Sequence, residues 1–370
     1  MKKRILILND RLHSGGAERI VQTVAALAAE DGWELTLWAP EGDREQLRRH
    51  YPAGLRWRRF PFWDRPCRRF SPAWFLRRFC RVLFEGLLLR LRRWDRVVAM
   101  KEGPCMRLGA KLRAGKKLAW VHADYRSLHW SHWHFRSDEE ELNCMAAYDR
   151  VVCVSESVRE SIRETLGDPG NLRVLYNPVD APSILRLAGE EIPEPPPEGE
   201  GPLLIAVGRL DGIKRFDLLL ELCRDLAPRH PLRLWIVGDG PEREKLERLA
   251  AELPFVRLLG AKENPYPYIA RSDWLISCSG SESYGLTVQE ALILGVPVLA
   301  CACPAIRETL DPRFGLLTEL DRASLEEGLR TVLSRPELGE SFREAIRAGY
   351  DAQALWRPRL EAIRSLIEGE

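Results

Sequence analysis

The chain has 370 residues, of which 45% are hydrophobic and 30% charged, with a formal net charge of +2. That length predicts two domains with sizeable cores, and the composition is that of a soluble globular protein. No stretch approaches the ~18 uninterrupted apolar residues of a membrane span, and Met1-Lys2-Lys3-Arg4 leads straight into the short run Ile5–Leu8 rather than into a signal peptide. The expectation is a protein that is neither exported nor integral to a membrane.

Nine cysteines occur without a C-x-x-C pair, and Cys301-Ala-Cys303 is their closest approach. In an unexported chain they read as reduced thiols in strands and helices, not as disulfides or metal ligands. The charge is unevenly spread. Arg44–Lys117 carries 22 basic and 5 acidic residues, and the remainder carries 34 basic and 49 acidic. A basic island in an acidic protein points to an anionic partner.

In chain order, Arg4–Asn9, Glu34–Ala39, Arg96–Met100, Lys117–Val121, Arg150–Val154 and Leu172–Tyr176 are short β-rich apolar runs. Helical patterns such as Ala17–Glu30, Trp74–Arg93 and Ser155–Leu166 alternate with them. Such alternation predicts a parallel sheet covered by helices on both faces. The Pro-, Gly- and Glu-rich stretch Gly189–Pro202 reads as a stiff exposed linker. Strand patterns then resume at Leu203–Val207, Leu232–Val237, Val256–Leu259, Trp274–Ser279 and Pro297–Cys301. The expectation is two doubly wound, Rossmann-like α/β domains in tandem, facing a shared cleft with ligands at the carboxyl ends of their strands. A last helical stretch, Ala352–Ile367, is placed to pack back on the first domain.

The most informative segment runs from Ser279 to Val298 and holds Glu282 and Glu290 in a strand–turn–helix context. Glu282 falls in the turn and Glu290 about five residues into the helix, roughly 7–8 Å along its axis. The spacing predicts that the amides of Tyr284, Gly285 and Leu286, with the helix dipole, form an anion site between the two carboxylates. A nucleoside-diphosphate sugar has the matching order of hydroxylated sugar, diphosphate and hydroxylated ribose.

This segment, with Gly295-Val-Pro297 after it, resembles the E-x7-E signature of the family-4 retaining glycosyltransferases. Further stretches resemble that family in order: Gly15-Gly16-Ala17-Glu18-Arg19, Tyr148–Ser155, Val174–Asp180, Val207-Gly-Arg-Leu210 with Lys214, Val237–Pro241 and Asn264–Ile269. The resemblance covers essentially the whole chain. It implies the GT-B fold, with an acceptor-side domain at 1–178, a nucleotide-sugar-binding domain at 179–351, and helix 352–370 returning to the first.

The resemblance also implies roles. Arg209 and Lys214 flank the donor diphosphate and neutralise charge as the glycosidic bond breaks. Glu282 positions the donor sugar, Glu290 holds the ribose, and His122 contacts the transferred sugar. Gly15 and Gly16 allow close backbone approach to the donor. No metal and no cofactor are expected. The Asp239 of Val-Gly-Asp-Gly is a strand-end residue, not part of a metal-binding D-x-D. Ser283 stands where many relatives have glycine, which bears on which sugar fits. The spacing of His129, His132 and His134 lacks acidic company and reads as acceptor contact or plain surface.

Within the basic island, Phe60–Phe84 interleaves aromatic residues with Arg pairs, and from Trp74 the spacing suits an amphipathic helix on an anionic membrane. No nucleic-acid motif accompanies it. The reading is a cytoplasmic enzyme, peripheral on the inner face of a bacterial membrane. It moves a sugar from a nucleotide-sugar donor to a glycan or lipid-linked acceptor in cell-surface polysaccharide synthesis, lipopolysaccharide included. Two rivals remain open: a nucleotide-sugar 2-epimerase on the same fold, and an inactive membrane-bound assembly partner. The sugar, base, acceptor and linkage are not legible.

Overall fold

The computed structural model describes residues 3–12, 15–59 and 93–369. Contacts divide the chain into two compact units, Met1–Asn177 with Pro358–Glu370, and Pro178–Arg357.

The first unit is built on a seven-stranded parallel sheet in the order β3-β2-β1-β4-β5-β6-β7. Its strands are β1 (Arg4–Leu8), β2 (Glu34–Trp38), β3 (Arg56–Arg58), β4 (Trp94–Ala99), β5 (Ala114–Val121), β6 (Arg150–Cys153) and β7 (Leu172–Val174). Ile5, Leu6, Ile7 and Leu8 are all buried, as expected for a central strand covered on both faces. The edge strand β3 was not anticipated. Its Arg-Trp-Arg has no apolar run, and it is held by pairing to β2 and by the Trp57 indole N–H donating to the Ala39 carbonyl at 3.1 Å.

The second unit has a six-stranded parallel sheet in the order β10-β9-β8-β11-β12-β13. Its strands are β8 (Leu203–Val207), β9 (Arg233–Val237), β10 (Val256–Gly260), β11 (Trp274–Ser277), β12 (Val298–Cys301) and β13 (Gly315–Thr318). The four-residue β13, with only two aliphatic side chains, was also unanticipated. One buried cluster, including Leu220, Leu234, Ile276 and Leu329, fills the space between this sheet and its helices.

The proline-rich stretch 189–202 is not the linker it resembles. The units meet at Asn177–Pro178, and 189–202 is a strap on the second unit. Glu194 accepts from Lys262 Nζ and the Tyr268 hydroxyl. Asn264 Nδ2 donates to the Leu187 carbonyl at 2.9 Å and to Glu190 Oε2 at 2.8 Å. Proline and glycine set the stiffness of a segment, but these side-chain bonds decide what it is tied to.

The terminal helix Arg357–Glu368 belongs to the first unit, and part of the basic island docks it. Arg96 donates through Nε to the Ile367 carbonyl and through Nη2 to that of Glu368, both at 2.5 Å, and Lys116 donates to the Gly369 carbonyl. Cations here satisfy the orphan carbonyls of a helix C-terminus and oppose its dipole.

In each sheet the strand order reverses direction beside the first strand, between β1 and β4 and between β8 and β11. Loops leaving the carboxyl ends of strands diverge there, opening a crevice for a ligand. In the second unit the crevice is shaped by backbone-on-backbone packing. Gly238 has φ +152°, and a Cβ there would lie 1.8 Å from the Gly208 carbonyl oxygen. Gly238→Ala is therefore expected to cost about 3 kcal/mol through strain and overpacking. Urea denaturation should show a lower midpoint at unchanged slope. An unaltered midpoint would mean the Gly208 loop yields freely.

Candidate functional site

The loop after β8, Gly208–Arg215, and the loop after β11, Cys278–Gly285, flank the second crevice and are joined directly. The Gly280 amide donates to the Ile213 carbonyl at 2.8 Å. Arg215 closes the first loop at φ +55°, the only non-glycine residue with positive φ among the described residues. Its guanidinium is tied to the Leu320 carbonyl at 2.8 Å. A left-handed arginine is held only where its surroundings over-determine it, and here it turns Lys214 towards the second loop.

Lys214 Nζ lies 2.5 Å from Glu282 Oε1, and the Ser279 hydroxyl donates to the same oxygen at 2.7 Å. Both side chains of the ion pair are mostly buried. Gly285 then begins the helix Leu286–Ile293 in the left-handed region, φ +77°, where a Cβ would meet Ile306 Cδ1 at 2.5 Å. Glycine is required there by the backbone and by close packing. The first amides of a helix lack intrahelical acceptors and carry the positive end of its dipole. Tyr284 is buried, and its carbonyl accepts from Thr309 Oγ1 at 3.2 Å. Glu290, four residues beyond the first helical residue, is also buried, with the Tyr266 hydroxyl 3.4 Å from its Oε1.

Lys214, Glu282, Gly285 and Leu286 are thus gathered at one crevice, with Glu290 along the same helix. Arg209 is not brought to Glu282. Its side chain is 64% exposed, and its nearest carboxylate is Asp211, at 3.7 Å. Asp239 pairs with Arg243 on the surface at 3.2 Å.

The first unit's crevice collects residues that follow β1, β4 and β5. Lys101 Nζ pairs with Asp10 Oδ2 at 2.6 Å. Burial alone would lower the Lys101 pKa, but the carboxylates of Asp10, Glu18 and Glu102 outweigh it and hold the ammonium above its ordinary range. Glu102 is taken up internally, accepting from the His122 amide at 3.0 Å and the Trp130 indole N–H at 2.7 Å.

The His122 ring donates to the Met100 carbonyl, which leaves Nε2 as a bare acceptor. Burial, reinforced by the Lys101 cation, lowers its pKa to about 4. The unfolded imidazole titrates near 6.5. This group therefore contributes up to about 3 kcal/mol of stability above pH 6.5, lost as pH falls from 6.5 towards 4. Imidazole nitrogen NMR should find His122 neutral with its proton on Nδ1 down to pH 5. A titration midpoint near 6.5 would contradict the burial argument.

Gly15 precedes the Gly16–Glu30 helix with an extended backbone, φ −170°, which any residue can adopt. A Cβ there would come 3.0 Å from the Glu18 carboxylate. The three loop histidines have separate fates. His129 Nε2 lies 2.8 Å from Glu141 Oε2, and Glu141 is fully buried and also accepts from Tyr125 and Ser131. His129 thus satisfies a buried carboxylate. His132 bonds to the His129 carbonyl, and the His134 ring packs edge-on against Trp130. Among the described residues no group of three or more His, Cys, Asp and Glu is placed to hold a metal ion.

Sequence reasoning missed Asn9, Asp10, Lys101, Glu102 and Ser279. Each lies within three residues of the end of a recognisable strand run, and that position was the available signal.

The proposed amphipathic helix from Trp74 lies outside the described residues. Elsewhere in the island, Arg44–His50 is a helix with no buried residue, and Arg49, Arg56 and Arg107 pair with Glu45, Glu34 and Glu140. No helix among the described residues is long and apolar enough to cross a membrane.

Comparison with known proteins follows the two units. Residues 14–182 match the family model "Glycosyltransferase Family 4", and residues 189–349 match "Glycosyl transferases group 1". Over 188 residues the chain is 31% identical to the N-acetylgalactosamine-N,N'-diacetylbacillosaminyl-diphospho-undecaprenol 4-alpha-N-acetylgalactosaminyltransferase of Campylobacter jejuni, covering 47% of this chain and 48% of that protein. Over 226 residues it is 24% identical to the lipopolysaccharide core biosynthesis glycosyltransferase LpsE of Rhizobium meliloti, covering 59% and 64%. The chain thus spans about half to just under two-thirds of the length of these curated relatives. Among solved structures, HepE of Anabaena in complex with UDP and glucose superposes with a TM-score of 0.73 at 18% identity, covering 98% of each chain. WaaG, a glycosyltransferase involved in lipopolysaccharide biosynthesis, superposes at 0.69 and 19% identity, covering 99% of this chain and 100% of that one. These likenesses show the fold, the pair of Rossmann-like domains called GT-B.

Proposed function

We propose, from the match of residues 14–182 and 189–349 to the family-4 and group-1 glycosyltransferase models, that this chain transfers a sugar from a nucleoside-diphosphate sugar to a glycan or lipid-linked acceptor. The setting is bacterial cell-surface polysaccharide synthesis, and the anomeric configuration is retained. The observation that carries this reading is the Lys214–Glu282 pair, fixed by Ser279 at a helix N-terminus with Glu290 further along that helix.

The chemistry follows from that arrangement. Glu282 accepts hydrogen bonds from the donor sugar's hydroxyls, and the Lys214 ammonium beside it faces the diphosphate. The amides of Tyr284, Gly285 and Leu286 extend the positive field, and Glu290 accepts from the ribose hydroxyls. As the glycosidic bond breaks, negative charge grows on the diphosphate, and fixed cations stabilise it most where water is excluded. Arg209 joins by turning its exposed side chain from Asp211. In the first unit, Gly15 and Gly16 leave room for close approach of a ligand, and neutral His122 accepts from a sugar hydroxyl. No metal is needed if these groups supply the positive field.

The test is product analysis. The chain is incubated with a panel of nucleotide sugars, with and without short-chain lipid-diphosphate and oligosaccharide acceptors. An α-linked product from an α-linked donor, formed only with acceptor, is expected. An epimerised nucleotide sugar without acceptor favours the 2-epimerase, and no turnover or binding favours the inactive assembly partner.

The +17 balance of residues 44–117 supports a peripheral site on an anionic membrane. Co-sedimentation with anionic vesicles is expected to exceed that with neutral ones. It should weaken with salt, since exposed charges are screened over about 8 Å at physiological ionic strength. Changing Arg77, Arg78 and Arg81 to Glu should release the protein. Equal binding to both vesicles at low salt would assign the island elsewhere.

A further inference from the structure

A short helix, Pro304–Thr309, braces the turn that precedes the helix Leu286–Ile293. From its middle, Ile306 Cδ1 occupies the place a Cβ on Gly285 would take. At its end, the one hydrogen of the Thr309 hydroxyl is shared between the Ala305 carbonyl at 2.8 Å and the Tyr284 carbonyl at 3.2 Å. Such three-centre bonds are common at helix ends. Thr309 is itself held in place. Its carbonyl accepts from Gln289 Nε2 at 3.0 Å, and the oxygen of that buried carboxamide accepts from the Tyr350 hydroxyl at 2.9 Å.

The Tyr284–Gly285 peptide is the one in this turn whose direction the local backbone leaves open. Gly285 stands at φ +77°, and glycine populates either sign of φ about equally. Rotation of ψ at Tyr284 with φ at Gly285 therefore turns the peptide over with little change in the path of the chain. A peptide is planar and trans, so its C=O and N–H point in opposite directions. A Tyr284 oxygen held on Thr309 sends the Gly285 N–H to the face away from the helix Pro304–Thr309.

We propose that Thr309 is a positioning residue of the donor site: its hydroxyl latches the Tyr284–Gly285 peptide in the orientation that aims the Gly285 N–H at the donor's diphosphate. Turned over, the same peptide presents its carbonyl oxygen, which repels a diphosphate. Glycine is needed for the tight turn, and threonine removes the ambiguity that glycine brings. This deepens the glycosyltransferase reading and rests on it for the identity of the diphosphate.

Tyr284-Gly285 is the only Tyr-Gly step in the sequence. The full chain labelled with carbon-13 at tyrosine carbonyls and nitrogen-15 in glycine therefore gives a single carbonyl-to-amide NMR correlation, from this peptide. UDP, GDP and ADP are added separately, followed by the nucleoside of whichever binds. The correlation is expected to move with the diphosphate and not with the nucleoside. A correlation that stays in place while a diphosphate binds overturns the proposal. Thr309→Val keeps the shape without the hydroxyl, and should lose diphosphate affinity by about five- to tenfold, with nucleoside affinity unchanged. Thr309→Ser keeps the hydroxyl and should bind within about twofold of the unsubstituted chain. Displacement of a fluorescent nucleotide measures each. Equal losses in the two variants, or an equal loss for the nucleoside, would leave Thr309 a packing role only. If neither variant folds, the labelled unsubstituted chain still decides the matter. Binding of none of the three diphosphates would count against the transferase reading itself, whereas a still Tyr284–Gly285 peptide beside normal binding would count against the latch alone.

Discussion

Replacing Lys214 with Ala is expected to lower the sugar-transfer rate by about two to three orders of magnitude, the usual loss when one fixed group facing developing negative charge is removed. Its ammonium is held 2.5 Å from Glu282 by a loop that ends in the left-handed Arg215 and is bonded to the next loop through Gly280. A cation fixed by its own loops needs little reorganisation as the bond breaks. The substitution leaves Glu282 with Ser279 as its nearest hydrogen-bonding partner, an acid without its neighbouring cation in a mostly buried place. Arg209 is exposed on the same loop and is a poor substitute. The wild-type rate should survive EDTA. Initial rates with and without the chelator, for both proteins, check the prediction. A Lys214→Ala enzyme within a factor of a few of wild type would remove this cation from the reaction.

Replacing Glu290 with Ala is expected to weaken nucleotide binding by roughly 10- to 100-fold, since a hydrogen bond to a charged group is worth about 1.5–3 kcal/mol. The carboxylate is buried on the helix Leu286–Ile293, with the Tyr266 hydroxyl at 3.4 Å from one oxygen, a long contact that a ribose hydroxyl can improve upon. Displacement of a fluorescent nucleotide measures the change. Circular dichroism and the thermal midpoint confirm the fold. Equal affinity in a folded variant would mean that Glu290 serves the packing against Tyr266 and not the ribose.

Much of the architecture was legible because the central strands are buried on both faces and so read as apolar runs. Ile5–Leu8, Leu203–Val207 and Trp274–Ser277 are examples. What escaped lacks that signal. Strand β3 is Arg-Trp-Arg at a sheet edge, and β13 is four residues long. The 189–202 strap has a linker's composition, and the partners that tie it down, Lys262, Asn264 and Tyr268, lie some seventy residues away in sequence. Glu282 and Lys214 could be paired only through their resemblance to a family. The bond between them depends on strand order in space, with β8 beside β11. Asp10 and Lys101 went unseen for the same reason, being 91 residues apart and adjacent only because β1 pairs with β4. His129 reads in the sequence as acceptor contact or plain surface, because Glu141, the carboxylate it satisfies, lies twelve residues away and is brought to it by the fold.

The most direct test of the central claim is calorimetric titration of the full chain with UDP, GDP and ADP, repeated for the Lys214→Ala variant. The account predicts one-to-one binding of at least one diphosphate, and a clear loss of affinity when the ammonium is removed. Absence of binding by all three, or a diphosphate that binds both proteins equally, would contradict a donor site built on Lys214, Glu282 and the helix that follows.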